Sequence, residues 1–343
     1  MRRLNNSLKN TTLAGAVIAP ILVFAPVLIF GQQAVAPSPP PAPPAQGAAQ
    51  NAGDATGDAV FSSETRLVPL NITVTDKSGR LVTNLPESAF QVYENGVLQP
   101  IKIFKREDVP ISLGLIIDNS GSMREKRQAV ESAALALVRD SNREDEVFVV
   151  NFNDEPYLDT DFTNDISKME QGLTKIDSRG GTAMRDAIRV SIDHLKEKAK
   201  RDKKVILVVT DGNDNASSMS LEALVRLAQQ DDVLVYAIGL LTDEEKREAS
   251  KAKRALGELV ENTGGQVYYP KDVSEVERIA HEVAHNIRNQ YTIAYTPVNL
   301  ALDGTYRQIK VVVKAPGNPV AHARSGYYAT KDQSQPKSSR NPS

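Results

Sequence analysis

The chain has 343 residues, with 41 lysine and arginine residues against 43 aspartate and glutamate residues, and its formal net charge is -2 at pH 7. This length allows one sizeable α/β domain together with a smaller one. The near balance of charge leaves no basic field for nucleic acid. Cysteine is absent, which excludes disulfides, a thiol nucleophile, a thiolate metal site and a lipid-modified cysteine anchor.

Residues 1–36 have the pattern of an export signal. Arg2 and Arg3 precede an uncharged apolar stretch from Leu13 to Phe30, and small residues follow at 34–36, where a signal peptidase would cut. The stretch is longer than a usual signal sequence and contains two prolines, so an uncleaved membrane anchor is the alternative. Both interpretations predict an exported chain: periplasmic, membrane-anchored and facing outside the cytoplasm, or secreted.

The segments before and after the central part of the chain differ in composition. Residues 37–59 are rich in proline, alanine and glycine, which predicts a linker. Residues 60–108 and 289–330 show the apolar alternation and turn signals of antiparallel strands. Neither segment has enough strands to be stable alone, so we predict that the two form one smaller all-β lobe. Residues 331–343 are polar and predict a disordered tail.

Residues 109–288 alternate between buried-strand patterns and helical patterns. The predicted strands are Ile111–Asp118, Glu146–Phe152, Val205–Thr210, Val233–Ile238 and Val267–Tyr269. This rhythm predicts an α/β fold, in which a doubly wound, mostly parallel sheet is covered by helices on both faces. In such sheets, ligands bind at the carboxyl ends of the strands, where the strand order reverses.

Oxygen-bearing side chains stand at three strand-to-helix junctions of this segment. Asp118, Ser120 and Ser122 directly follow the first strand as D-N-S-G-S, Thr182 follows two glycines before a helix, and Asp211 follows the third strand. Such oxygen ligands suit a hard cation, and a carboxylate beside hydroxyls leaves coordination positions to water or to a ligand, as Mg²⁺ prefers. The alternative interpretation is three unrelated polar turns.

Together and in this order, the three segments resemble the metal-ion-dependent adhesion site of von Willebrand factor A domains. The resemblance implies that Ser120, Ser122 and Thr182 bind Mg²⁺ or Mn²⁺ directly, while Asp118 and Asp211 act through water. It also implies an open coordination position that an Asp or Glu carboxylate of a partner protein fills. The expected role is therefore protein binding, in adhesion or envelope assembly, with no catalytic residue and no further cofactor.

The resemblance also extends, more loosely, to the flanking β segments. They are similar to those of a bacterial exported group in which such a domain carries β extensions. Partner specificity is expected in the rim loops, at 123–125, 153–161 and 214–220. Within the last of these, Asp214 and Asn215 are interpreted as turn-forming residues.

A second motif favours a different function. Residues 281–285 match the H-E-x-x-H pattern of zinc proteases, in which the two histidines bind zinc and the glutamate is the general base. The alternative function is therefore a metal-dependent hydrolase acting on envelope material. The same helix carries an apolar stripe formed by Val276, Ile279, Ala280, Val283 and Ile287. This stripe predicts that His281 and His285 lie on the opposite, solvated face, and no glutamate follows Glu282 as a third ligand.

Overall fold

The structure is a computed structural model that describes residues 66–106, 108–140, 142–174, 179–241 and 246–331. These ranges belong to one compact unit, Ser62–Ser343. The predicted export signal and linker, and the predicted tail beyond Lys331, lie outside the described residues. Within the described ranges, no helix has both the length and the apolar character needed to cross a membrane.

Strands and helices follow one another through the described residues. In chain order the strands are β1 (Val68–Thr75), β2 (Phe90–Glu94), β3 (Val97–Gln99), β4 (Ile101–Lys105), β5 (Ile111–Asp118), β6 (Glu146–Phe152), β7 (Pro156–Thr163), β8 (Lys203–Thr210), β9 (Val233–Gly239), β10 (Val267–Tyr268), β11 (Tyr291–Tyr295), β12 (Tyr306–Val313), β13 (Val320–His322) and β14 (Gly326–Tyr328). The helices are α1 (Arg127–Arg139), α2 (Ile166–Thr174), α3 (Met184–Lys198), α4 (Leu221–Gln230), α5 (Lys246–Thr263) and α6 (Val276–Arg288).

A six-stranded sheet in the order β10-β9-β8-β5-β6-β7 forms the centre of the α/β part. Its strands are parallel except for the β6–β7 pair. Every residue of β5 is buried, because helices cover both faces of the sheet. Leu113 and Leu115 lie in a core with residues of α1 and α6, whereas Ile116 lies in a second core with residues of α3, α4 and α5. The predicted doubly wound α/β fold is confirmed.

The edge strand β7 differs from the prediction. Residues 153–161 were expected to form a rim loop, but Pro156–Thr163 pairs antiparallel with β6. This strand has the sequence P-Y-L-D-T-D-F-T and contains no buried residue. Because it lies at the sheet edge and remains partly solvated, it lacks the apolar run by which buried strands are recognised.

Two antiparallel four-stranded sheets, β13-β1-β11-β4 and β14-β12-β2-β3, form the smaller all-β lobe. Each sheet combines strands from before and after the α/β part, since β1 pairs with β11 and β2 pairs with β12. Their facing side chains share one apolar core, which includes Ile72 and Ile293 from the first sheet and Val92 and Ile309 from the second. The two flanking segments therefore form a single sandwich, as predicted.

Polar contacts attach the all-β lobe to the α/β part, and those of Gln290 are buried. The Gln290 side chain donates from Nε2 to Oγ1 of Thr73 over 3.0 Å and to the hydroxyl of Tyr236, in β9, over 3.2 Å. Arg324 bonds to the Asp232 side chain over 2.8 Å and to the carbonyl oxygen of Pro69 over 2.8 Å. Asp232 directly precedes β9 and Tyr236 lies in the middle of it, so these contacts are not at the carboxyl edge of the central sheet.

Candidate metal centre

The predicted site residues stand at the carboxyl edge of the central sheet. Strand β5 lies between β8 and β6. The chain passes from β5 to β6 on one side and later places β8 on the other, so the strand order reverses at β5. Loops that leave the ends of β5 and β8 therefore meet at a topological switch point, the usual place for a ligand in a sheet of this type.

Asp118 ends β5 with its side chain buried at 1% exposure. Its Oδ1 accepts a hydrogen bond from the backbone N–H of Ser120 over 2.8 Å, and its Oδ2 accepts one from Oγ1 of Thr210 over 2.6 Å. Burial raises the pKa of the Asp118 carboxyl to about 6, although these hydrogen bonds lower it. The nearby negative charge of Asp211 also raises the pKa. A cation at this position would therefore stabilise the ionised Asp118 carboxylate.

Three oxygen-bearing side chains form a continuous hydrogen-bonded row beside Asp118. The hydroxyls of Ser120 and Ser122 are 3.2 Å apart, and Oγ of Ser122 donates to Oδ1 of Asp211 over 2.8 Å. Ser120 and the Asp211 side chain are buried and Ser122 is exposed, so the row reaches solvent at Ser122, its middle member. The structure thus brings Asp118, Ser120, Ser122 and Asp211 together.

Thr182 belongs to a loop that crosses the same edge. The backbone N–H of Arg179 donates to the carbonyl oxygen of Asn119 over 3.0 Å, and that of Gly121 donates to the carbonyl oxygen of Gly180 over 3.4 Å. Gly180 has a φ of +76°, and a Cβ atom there would stand 2.2 Å from Oδ2 of Asp154. Glycine is therefore required for the loop to lie this close to its neighbours.

Asparagine and aspartate side chains hold the Thr182 loop in place. Oδ1 of Asn215 accepts from the N–H of Thr182 over 2.9 Å, and Oδ1 of Asp154 accepts from the N–H of Gly181 over 2.6 Å. Asp214 forms the expected turn with Ser217 but also accepts from the N–H of Arg185 over 2.7 Å. The interpretation of Asp214 and Asn215 as turn-forming residues thus missed a second role, which is to fix the loop before α3.

The environment of Thr182 fits a cation ligand. The residue is 5% exposed, and no hydrogen bond joins its hydroxyl to another residue in the described part of the chain. That hydroxyl faces the loop after β8, since a Cβ atom on Gly212 would lie 3.7 Å from Thr182 Oγ1. The hydroxyl is therefore available to a cation. Three hydroxyls and two carboxylates at one sheet edge are a donor set suited to Mg²⁺ or Mn²⁺.

Lys126 is a charged residue of the site that the motif analysis did not identify. Its Nζ lies 2.5 Å from Oδ2 of Asp211, the carboxylate oxygen that Ser122 does not contact. Nothing in the local sequence indicates this contact, because the two residues are 85 positions apart. The sequence signal was limited to a lysine close behind the D-N-S-G-S loop.

The H-E-x-x-H motif has the solvated placement predicted for it. The apolar stripe of α6 is buried, while His281 and His285 are exposed. His281 pairs through Nδ1 with Asp140, and Glu282 pairs with Arg278 over 3.3 Å. Among the described residues, no group of three or more histidine, aspartate and glutamate side chains has an arrangement that could hold a metal ion. A zinc centre would therefore lack a third protein ligand of these types within the described ranges.

Residues 113–213 match the sequence model of the von Willebrand factor type A domain. The matched segment includes β5 from Leu113 onward, the whole of β8 and all five predicted site residues. The match shows that residues 113–213, within the α/β part, are similar to a von Willebrand factor type A domain.

Similar proteins share only part of the chain. An uncharacterized protein of Borreliella burgdorferi is 24% identical over 178 residues, which are 50% of this chain and 51% of that protein. The chain thus spans about half the length of the curated relative it matches. Among solved structures, a von Willebrand factor type A protein from Catenulispora acidiphila is 14% identical, with 82% of this chain and 78% of that chain covered and a TM-score of 0.46.

Two further solved structures come from bacterial pili. The PilB minor pilin from Streptococcus sanguinis is 15% identical, with 53% of this chain and 62% of that chain covered and a TM-score of 0.42. The von Willebrand factor domain of the type V pili tip protein Mfa5 from Porphyromonas gingivalis is 12% identical, with 52% and 97% covered and a TM-score of 0.42.

Proposed function

We propose that this chain binds another protein through a divalent cation, Mg²⁺ or Mn²⁺, held at the carboxyl edge of its von Willebrand factor type A domain. The observation that supports the proposal best is the row of Ser120, Ser122 and Asp211 oxygens beside the buried Asp118. The unpartnered hydroxyl of Thr182 lies next to the loop after β8, which carries Asp211. No single stretch of sequence contains this donor set, which three loops bring together.

Each residue has a distinct part in this proposal. Ser120, Ser122 and Thr182 bind the cation through neutral hydroxyls, and Asp118 and Asp211 supply negative charge around it. With few carboxylates bound directly, the cation stays electrophilic and attracts an Asp or Glu carboxylate from the partner. Because Ser122 is the exposed member of the row, the partner's carboxylate would enter beside Ser122. The role is binding, and no catalytic group is assigned.

The proposal is tested by titrating the purified chain with Mn²⁺ in a calorimeter. We expect one bound ion per chain in the wild type and loss of that binding in Thr182→Ala, because the substitution removes a ligand. Glu282→Gln and His285→Ala are the matched controls, since they alter the H-E-x-x-H motif and should bind Mn²⁺ as the wild type does. Loss of binding in these two variants, but not in Thr182→Ala, would favour the hydrolase alternative.

Partner recognition is tested with an acidic peptide selected for binding in Mg²⁺. The peptide should dissociate in chelator and should lose most of its affinity when one Asp or Glu becomes Asn or Gln, because a neutral amide is a poorer ligand for a divalent cation. A peptide that retains its affinity in chelator would contradict a metal-completed contact.

We also propose that the chain is exported, as its N-terminal 36 residues indicate. Mass analysis of the mature protein from a bacterial host distinguishes the two forms. A chain that starts at Pro37 has lost a signal peptide, whereas an intact N-terminus in the membrane fraction indicates an anchor. Intact protein in the cytoplasmic fraction would contradict export.

A further inference from the structure

The ammonium group of Lys126 lies within the candidate metal centre. Its Nζ contacts Oδ2 of Asp211, while Oδ1 of the same carboxylate accepts the hydrogen bond from Ser122. The Asp211 side chain is 1% exposed and that of Lys126 is 17% exposed. An ion pair so shielded from water is held more strongly than a surface pair, and removing one partner leaves a charge without compensation.

The position of Lys126 on the chain supports a role in the site rather than in the helix that follows. Lys126 directly precedes α1, and the first turn of α1 contains no acidic residue. A cation at a helix N-terminus is unfavourable because the N–H groups there carry partial positive charge. Its neighbour Arg127 is compensated separately by Glu131 over 2.7 Å. The pairing with Asp211 therefore compensates a charge that α1 itself disfavours.

We propose that Lys126 is a tethered counter-ion of the metal-free site, which neutralises Asp211 until a divalent cation displaces it. This inference rests on the proposed metal site. In the metal-free protein, Lys126 offsets the repulsion between the carboxylates of Asp118 and Asp211. The charge of a bound cation repels the ammonium group from Asp211, so Lys126 lowers the cation affinity and sets the concentration at which the site can accept a partner.

The first test compares Lys126→Gln with the wild type, using the full-length chain. In chelator, Lys126→Gln should melt about 2–4 °C lower because Asp211 has lost its counter-charge. With Mn²⁺, its Kd should be about tenfold lower than that of the wild type, a difference of about 1.4 kcal/mol. Lys198→Gln is the matched control, because Lys198 forms an exposed pair with Asp161 over 3.0 Å and should change neither the melting temperature in chelator nor the Mn²⁺ affinity.

The second test needs no substitution. Acetylation of lysines in the wild type is measured by peptide mass mapping in chelator and in saturating Mn²⁺. The rate at Lys126 should rise severalfold with Mn²⁺ because the released ammonium group becomes accessible, while the rate at Lys198 stays constant. An unchanged rate at Lys126 would show that the ion pair with Asp211 persists in the loaded site, which overturns the inference.

The outcomes separate this inference from the proposed function. Equal or weaker Mn²⁺ binding by Lys126→Gln, with normal binding by the wild type, overturns the counter-ion role and leaves the metal site standing. Absence of Mn²⁺ binding in both proteins overturns both proposals. Binding by Lys126→Gln alone supports the counter-ion role in its strongest form, in which the lysine keeps the site closed to the cation.

Discussion

The hydroxyl of Ser122 donates a hydrogen bond to Oδ1 of Asp211 over 2.8 Å, although the two residues are 89 positions apart in the chain. Ser122 lies in the loop after β5, and Asp211 directly follows β8. The contact forms because these two strands are parallel neighbours whose carboxyl ends meet at one edge. The sheet order therefore assembles the candidate site, and residues that fix the loops should influence metal binding as strongly as some ligands.

Asn215→Ala should weaken Mn²⁺ binding without unfolding the domain. The Asn215 side chain holds the N–H of Thr182 over 2.9 Å, so its removal frees the loop that carries the Thr182 hydroxyl. We expect a loss of about tenfold in affinity, as is usual when a residue that orients a metal ligand is removed. Calorimetric titration with Mn²⁺ measures the effect.

The matched control for this variant is Asn299→Ala. Asn299 also accepts a hydrogen bond from a nearby backbone N–H, that of Ala301 over 3.0 Å, but it lies in an exposed loop of the all-β lobe. Its Mn²⁺ affinity should equal that of the wild type. An Asn215→Ala protein with wild-type affinity would show that Thr182 is positioned without this contact.

Tyr295→Phe should destabilise the all-β lobe. Glu94 of β2 is 3% exposed and accepts hydrogen bonds on Oε2 from the hydroxyls of Tyr295 over 2.7 Å and Tyr327 over 3.0 Å. Removing one donor from a buried carboxyl group should lower the free energy of unfolding by about 1–3 kcal/mol. Urea denaturation monitored by tyrosine fluorescence measures this change.

Tyr93→Phe is the control for the loss of a tyrosine hydroxyl, because Tyr93 lies in β2 beside Glu94. The Tyr93 hydroxyl donates to Gln91 over 3.0 Å in a partly buried position. Its removal should therefore lower the free energy of unfolding by well under half of the amount expected for Tyr295→Phe. If the two variants were equally stable, the contact of Glu94 with the C-terminal strands would not contribute to holding the two flanking segments together.

Lys203 should make stability depend on alkaline pH. Its Nζ donates to the carbonyl oxygen of Ile287 over 2.5 Å, and burial lowers its pKa from 10.5 to about 8, although the nearby Asp108 and Asp145 charges raise it. Between pH 8 and about 10.4 the unfolded chain therefore binds more protons at this lysine than the folded chain does. The folded state gains stability from this group as the pH rises through that window.

The measurement compares the wild type with Lys203→Met in urea at pH 7.5 and pH 9.5. The free energy of unfolding of the wild type should rise by about 1–2 kcal/mol relative to the variant over this interval. The comparison removes contributions from other titrating groups, which both proteins share. A difference between the two proteins that stays constant with pH would contradict a lowered pKa at Lys203.

The central sheet could be predicted from sequence because its strands are recognisable locally. The apolar runs of β5, β8 and β9 exist because both faces of these strands are covered. The edge strand β7 could not be recognised in this way, since its exposed residues are not required to be apolar. Turn signals in the flanking segments predicted antiparallel strands, but the order of strands in the two sheets depends on packing between distant segments.

The five candidate ligands could be predicted because they directly follow strand ends or precede a helix in recognisable order. The residues that surround them could not. Asp154, Asn215 and Lys126 reach the site only through contacts between loops that are far apart in sequence. Their side chains are also common in ordinary turns and on solvated surfaces, so composition alone does not distinguish them.

The central claim, a divalent cation site built by the loops after β5 and β8, is tested most directly by crystallography in Mn²⁺. An anomalous difference map would show where the ion binds without knowledge of the partner protein. We predict one peak per chain, in contact with the hydroxyls of Ser120, Ser122 and Thr182, and no peak in Thr182→Ala crystals. A map without a peak at these residues, or with its main peak between His281 and His285, would contradict the claim.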